Sequence, residues 1–202
     1  MSVAAEPSAV AGLHPVLGPQ TQLGFVVRDL DAAVRHWIEV LGIGPFLFLD
    51  KGTGRPPNPS FFRGNRVVVE LRLAFGFVGD VQIELIEQVN DAPSPYREFL
   101  AQGREGLQHL GYWVHDYDDA RQRVEAAGYE PEFVIPIPGQ TQPIVYYRSP
   151  SVLGPMLEIV PPRWKKARQA VSERLKSWAG GDPLIRFDTY GDFLADAKVV
   201  FD

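Results

Sequence analysis

The 202-residue chain contains no cysteine. That excludes disulfides, thiolate metal sites and cysteine nucleophiles, so any metal must be held by nitrogen and oxygen. Positive charge is in deficit, with 20 Lys and Arg against 25 Asp and Glu, a net charge of −5. A nucleic-acid partner, which would want a basic face, is not expected. No apolar run reaches the roughly 18 residues of a membrane-spanning helix, so no membrane partner is expected either. The opening MSVAAEPSAVAGLHPVLG has no basic stretch ahead of its small apolar residues, and Glu6 and Pro7 interrupt it. It reads as a flexible lead over residues 1–19, not a secretory signal, and the expected setting is cytoplasmic. What is present in quantity is apolar: 45% of residues, enough for an ordinary core. The partner these exclusions leave is a small molecule.

The chain says one thing twice. QLGFVVRDLDAA, from Gln22, returns as HLGYWVHDYDDA, from His109, an offset of 87 (109 less 22). Leu23, Gly24, Val27, Asp29, Asp31 and Ala33 meet Leu110, Gly111, Val114, Asp116, Asp118 and Ala120. One repeat at so long a spacing is no solenoid; it suggests two copies of a supersecondary unit in one compact fold. In the first copy, residues 23–27 have strand character, Asp29 is placed as an N-cap, and Ala33, Trp37, Val40 and Leu41 form a helical stripe that Gly42 stops in a left-handed turn. Strands are expected over 44–50, 67–77 and 81–86, the last two joined at Gly79-Asp80, with a long loop over 52–59. Loops of that length usually cover or line a site. After a short helix ending at Gly103, the second copy repeats the order: a strand from Gln108, a helix from Tyr117 closed by Gly128, and strands near Phe133, over 144–148 and over 156–160.

VQIELI at the end of the first copy matches PMLEIV at the end of the second, which places Glu158 on Glu84. Two repeat pairs therefore carry side chains able to bind a metal: Gln22 with His109, and Glu84 with Glu158. Alternate residues of a strand share a face, so all four lie opposite the helices, and they converge if the two units curve toward each other. A carboxylate in mid-strand between apolar neighbours is costly unless paired or bound to a cation. Glu87 competes with Glu84 if the register slips. His115 matches Arg28 and reads as a solvent-facing strand end, and His14 and His36 carry no signal.

The β-α-β-β-β repeat, the D-L-D-x-A turn and the four candidate positions resemble the vicinal oxygen chelate superfamily over roughly residues 20–162. The pattern is most similar to methylmalonyl-CoA epimerase and glyoxalase I. The resemblance implies an α+β fold in which two βαβββ modules, 20–106 and 107–162, form an eight-stranded open, barrel-like sheet. It implies a divalent ion, Zn, Mn, Co, Ni or Fe, held by Gln22, Glu84, His109 and Glu158. The activity implied is that of an isomerase, epimerase or lyase that abstracts a proton beside a carbonyl, with Glu158 as base and Glu84 as its partner. The substrate would carry vicinal oxygens or a carbonyl, and a homodimer is expected. An extradiol dioxygenase fits poorly, since such an iron site wants two histidines and His109 is the one available. The alternative from another class is a non-catalytic, drug-sequestering protein with the same cup.

Four further residues are candidate substrate contacts. Trp113 shares the His109 face, Tyr146 lies in a core-forming strand, and Arg72 and Arg148 sit within strands, where each would clamp a carboxylate or phosphate or else enter an internal salt bridge. Residues 163–202 fall outside the resemblance. Trp164, Ala167, Val171, Leu175 and Trp178 give an amphipathic helix, so a helical extension is expected. Its last part, with Phe187, Tyr190, Phe193 and Leu194, would dock on a partner or cover the cleft.

Overall fold

A computed structural model describes residues 12–152 and 154–201. The repeat is visible at once in the first turn of each copy. Strand β1, Gln22–Val26, runs into helix α2, Leu30–Glu39, whose N-cap Asp29 accepts a hydrogen bond from the Ala32 amide. Strand β7, Gly106–Trp113, runs into α4, Tyr117–Ala126, where Asp116 does the same for the Asp119 amide. Each cap satisfies an otherwise orphan N–H and contributes about 1 kcal/mol. Gly42 and Gly128, at φ 69° and 88°, take the left-handed turns after the helices. Between the copies, α3, Pro95–Ala101, is capped by Ser94 and followed by Gly103 at φ 74°.

The first copy continues with β2, Phe46–Lys51, β3, Ser60–Phe62, β4, Asn65–Val67, β5, Leu71–Val78, and β6, Val81–Gln88. The second continues with β8, Glu130–Ile135, β9, Ile144–Arg148, and β10, Met156–Val160. Module one is ordered β2-β5-β6-β1 and module two β7-β10-β9-β8, the mirrored halves of one curled sheet joined where β1 and β7 pair antiparallel. On the outer face α2 buries Leu30 and Val34 against Phe46, Phe48, Ile83 and Leu85. Each such side chain contributes roughly 1.5–3 kcal/mol. Helix α4 buries Ala120 and Val124 against Tyr147, Leu157 and Ile159 in the same way. Leu23 and Phe25 pack on the α2 side, as alternation requires, whereas Val26 faces inward with Tyr96, Phe133 and Tyr146.

The sheet has eleven strands, three more than the two modules supply. Two of them, β3 and β4, form a hairpin ahead of the expected 67–77 strand, of which β5 takes 71–77; it turns at Arg63-Gly64, where φ is 49° and 79°. Phe61 and Phe62 pair with Val134 and Phe133, so the first module's hairpin extends the second module's edge. Buried Phe62 packs against the Phe133 ring at 6.4 Å, a long-range contact with no local sequence signature. The third is β11, Leu184–Thr189, which corrects the expectation of a purely helical extension: it adds in parallel to β2, with Leu184 beside Phe46 and Phe187 beside Leu49. It is flanked by α5, Lys165–Lys176, and α6, Tyr190–Asp196. Helix α5 buries Ala167, Val171 and Leu175 as the periodicity predicts, but Trp164 lies in the turn before it and Trp178 beyond its end.

The expected flexible lead falls on residues of which 1–11 lie outside those described. His14–Leu17 forms a short helix, α1, and Leu17 is buried beside Val124 of α4. No helix among the described residues is long and apolar enough to cross a membrane.

Candidate metal centre and cavity

The repeat places its own side chains across the β1–β7 seam. Gln22 faces Gly111 and His109 faces Gly24, so each copy's ligand candidate lies over the other copy's glycine. In the parallel pairs that flank the seam, Glu84 lies beside Gly24 and Glu158 beside Gly111. Four strands thus bring Gln22, Glu84, His109 and Glu158 to one spot, and all four are buried. The glycines leave the room: a Cβ on Gly111 would lie 2.1 Å from Gln22 Oε1 and 2.9 Å from Glu158 Oε2.

His109 Nε2 lies 3.4 Å from Glu84 Oε2 and 3.5 Å from Glu158 Oε2. Gln22 Nε2 donates to Glu84 Oε2 at 3.2 Å and to Gln82 Oε1 at 3.3 Å, which turns Gln22 Oε1 the other way. On the far side of the imidazole, Gln108 Oε1 sits 2.8 Å from Nδ1. That contact favours the tautomer with hydrogen on Nδ1 and the Nε2 lone pair toward the carboxylates.

Gln22 Oε1, His109 Nε2 and Glu158 Oε2 are all buried without a hydrogen-bond partner. Electron-rich atoms held together in a dry pocket repel, and a proton or a metal cation resolves that. Atoms of Glu84, His109 and Glu158 lie within 4.8 Å of one another, and these three could hold an ion. The donor set suits one: carboxylate and amide oxygens with one imidazole match a divalent first-row metal. The proton leaves the same trace. Burial opposes the imidazolium, yet the Glu158 and Glu84 carboxylates outweigh it and raise the His109 pKa to about 9. Burial pushes the Glu84 carboxyl above its ordinary value.

The centre forms the floor of a cavity of about 550 Å³. Trp113 and Tyr146 line it, and the Tyr146 ring meets His109 edge-on with centroids 4.9 Å apart. Burial holds the Tyr146 and Tyr96 hydroxyls protonated well above their usual range. The loop expected over 52–59 lines the rim through Gly52, Thr53, Arg55 and Asn58.

Of the two readings open for Arg72 and Arg148, clamp or internal salt bridge, both take the salt bridge. Arg72 pairs with Asp31 at 2.7 Å and with Glu87 at 2.8 Å, which also accounts for Glu87, the competing carboxylate. Arg148 is exposed, ion-paired with Glu130, and borders a second hollow lined also by Glu98, Gln108 and Met156. Neither lines the cavity of the metal centre. Tyr190 and Leu194 line the cavity, the second of the two readings open for the last segment, whereas Gln82, Gln108, Tyr96 and Trp164 belong to the site or its cavity without having been expected there. Gln82 had a signal, since it alternates with Ile83 onto the Glu84 face, whereas the others are recruited by packing.

The family model described as the glyoxalase/bleomycin resistance protein/dioxygenase superfamily matches residues 21–147. No curated protein sequence matches the chain. Among solved structures, a methylmalonyl-CoA epimerase from Mycobacterium tuberculosis is 21% identical, with a TM-score of 0.50 over 71% of this chain and 87% of that one. A hypothetical protein from Bacillus halodurans C-125 is 19% identical, with a TM-score of 0.49 over 70% and 91%. The first likeness is one of fold. With its paired modules, and with a family match that spans more than half its length, the chain belongs to the glyoxalase/bleomycin resistance protein/dioxygenase superfamily.

Proposed function

We propose that the chain is a metal-dependent isomerase, epimerase or lyase that moves a proton on a carbon next to a carbonyl. The observation that carries this reading is the trio of buried, unpartnered acceptors, Gln22 Oε1, His109 Nε2 and Glu158 Oε2, of which Gln22 and Glu158 line the floor of a largely apolar cavity and His109 is fully buried against Glu158. Gln22, Glu84, His109 and Glu158 would hold a divalent ion, which when bound would polarise a carbonyl oxygen and favour negative charge developing beside it.

The protein's own groups then divide the work. Glu158 is the base: its Oε2 is buried, faces the centre and is held by no donor. Glu84 is engaged by the Gln22 amide at 3.2 Å, and burial raises its affinity for a proton. It is the partner that delivers a proton to the opposite face or the neighbouring carbon. Trp113 and Tyr146 bound the reacting space and keep water from it.

The test is deuterium wash-in from D₂O into α-hydroxyacetophenone, run beside metal analysis of the purified protein. Near-stoichiometric metal, lost in His109→Ala, together with exchange lost in Glu158→Gln, supports the enzyme. Metal-free protein that binds the ketone and exchanges nothing would establish the sequestering alternative instead.

A further inference from the structure

The segment 162–201 lies beyond the residues that match the family model, yet it forms one wall of the cavity through Trp164, Thr189, Tyr190, Gly191 and Leu194. We propose that this wall determines specificity: it confines the site to compact, uncharged α-hydroxycarbonyl substrates with an aromatic or branched apolar group, and turns away substrates with a polyphosphate tail. The proposal rests on the proton-transfer reading above for the hydroxycarbonyl end, and on the wall itself for the rest.

The wall is fixed in place. Strand β11 is hydrogen-bonded into the sheet beside β2, and Phe193 and Val171 are fully buried against Leu47, Leu49 and Phe75. Arg168 of α5 reaches under the sheet, lies 5.3 Å from the Phe77 ring and 5.5 Å from Trp113, and donates to the Thr21 carbonyl at 3.3 Å. At the start of α6, Thr189 and Asp192 form a reciprocal capping box. That box sets the direction of the helix, and Tyr190 and Leu194, four residues apart, share the face toward the cavity. Tyr190 stacks on Trp164 with centroids 5.9 Å apart and planes 16° apart, a flat aromatic surface above the floor.

The charge pattern points the same way. Arg55 is the sole cationic side chain among the described residues that line the cavity, and the wall neutralises it: Arg55 is ion-paired with Asp188. Asp188 also holds Lys51 at 3.1 Å, which ties the rim loop to the extension. Phosphates are bound by free guanidinium, ammonium or amide donors, and here the nearest guanidinium is taken by Asp188. A volume of about 550 Å³ suits one small organic molecule held by apolar sides and a polar floor.

Gly191 allows a clean test. It lines the cavity, and a Cβ there meets no neighbouring side chain nearer than Thr189 Oγ1 at 3.5 Å, so the position has room for a side chain, and a large one narrows the space. Calorimetry on the full chain would compare α-hydroxyacetophenone with methylmalonyl-CoA, with Zn²⁺ titrated separately into each protein. The ketone is expected to bind wild type at least tenfold more tightly than the thioester, and Gly191→Phe to weaken it at least tenfold at unchanged Zn²⁺ affinity. Thioester binding as tight as that of the ketone, or a Gly191→Phe protein that binds the ketone like wild type, overturns the proposal. Should that variant not fold, Leu194→Trp, on the same face, decides by the same criterion. Wild-type protein that takes up no Zn²⁺ would instead overturn the functional reading, and the ligand series would still judge the wall.

Discussion

Gly24 lies directly across the β1–β7 seam from His109, and a Cβ on Gly24 would fall 1.9 Å from the imidazole Cε1 and 2.2 Å from Nε2. The ring occupies the space that a side chain would take. Gly24→Ala is therefore expected to push the imidazole out of the centre, at a cost of about 1–3 kcal/mol from overpacking. Urea unfolding would read the stability, and Zn²⁺ titration should show at least a hundredfold weaker binding. Gly111→Ala meets the ends of the Gln22 and Glu158 side chains, which can swing aside, and Gln22 Cβ only at 3.0 Å, so its stability loss should be the smaller. Wild-type Zn²⁺ affinity in Gly24→Ala would show that the gap does not exist for the ring.

The two glutamates can be separated by what they hold. Glu158→Gln keeps an oxygen toward the centre but cannot take a proton, so deuterium exchange should fall by about 10²–10⁴. Metal affinity should fall less than in His109→Ala. If Glu84→Gln silences exchange and Glu158→Gln leaves it running, the base has been assigned to the wrong carboxylate.

The metal-free protein should lose stability as the solution becomes alkaline. The folded-state pKa of His109 is raised from 6.5 to about 9. Its contribution is therefore complete below about pH 6.5 and disappears as the pH rises through about 9. Glu84, also raised, acts with the same sign at lower pH. Metal uptake runs the other way, because the ion must displace the proton from Nε2, so affinity should climb up to about pH 9. Melting temperatures of chelator-treated protein between pH 6 and 10, compared with His109→Ala, would check this. A wild-type curve that is flat or rising over that range contradicts it.

Arg72 should matter to the fold and not to the ligand. Besides Asp31 and Glu87 it approaches Asp50 at 3.8 Å, and it lies 5.1 Å from the Phe48 ring, on the outer side of the sheet. Its side chain is only 24% exposed, so Arg72→Ala leaves Glu87 without this cation and Asp31 and Asp50 with Arg186 alone, and should cost roughly 1–3 kcal/mol. The affinity for α-hydroxyacetophenone should not change. A large loss of ketone binding in a stable Arg72→Ala protein would return Arg72 to the site.

Much of the site was legible because the repeat is written in residue types that chemistry constrains. The alternation of Gln22 with Leu23, of His109 with Leu110 and of Glu84 with Ile83 assigned the polar residues to one face, and the structure brings those faces together. The arginines were harder to place. Alternation gives Arg72 a face of the sheet, but only the positions of Asp31 and Glu87 say that the face already has its carboxylates. Arg148 takes its salt-bridge alternative for a related reason: the neighbouring strand β8 supplies Glu130 opposite it.

By itself the sequence determined the two modules, their caps, the shared face of the candidate residues on the four strands that carry them and the identity of the four candidate ligands. These follow from periodicities of two and 3.6 residues and from a repeat that pairs Gln22 with His109 and Glu84 with Glu158, all readable along a linear chain. The tertiary structure decided that Gly24 and Gly111 serve as sockets for the opposite copy's ligand. It also decided that β3 crosses to the other module, and that β11 and α6 turn an apparent appendage into a wall of the cavity. Strand pairing and burial between distant segments depend on which surfaces remain unpaired once the local elements have formed, and no window of sequence contains that information.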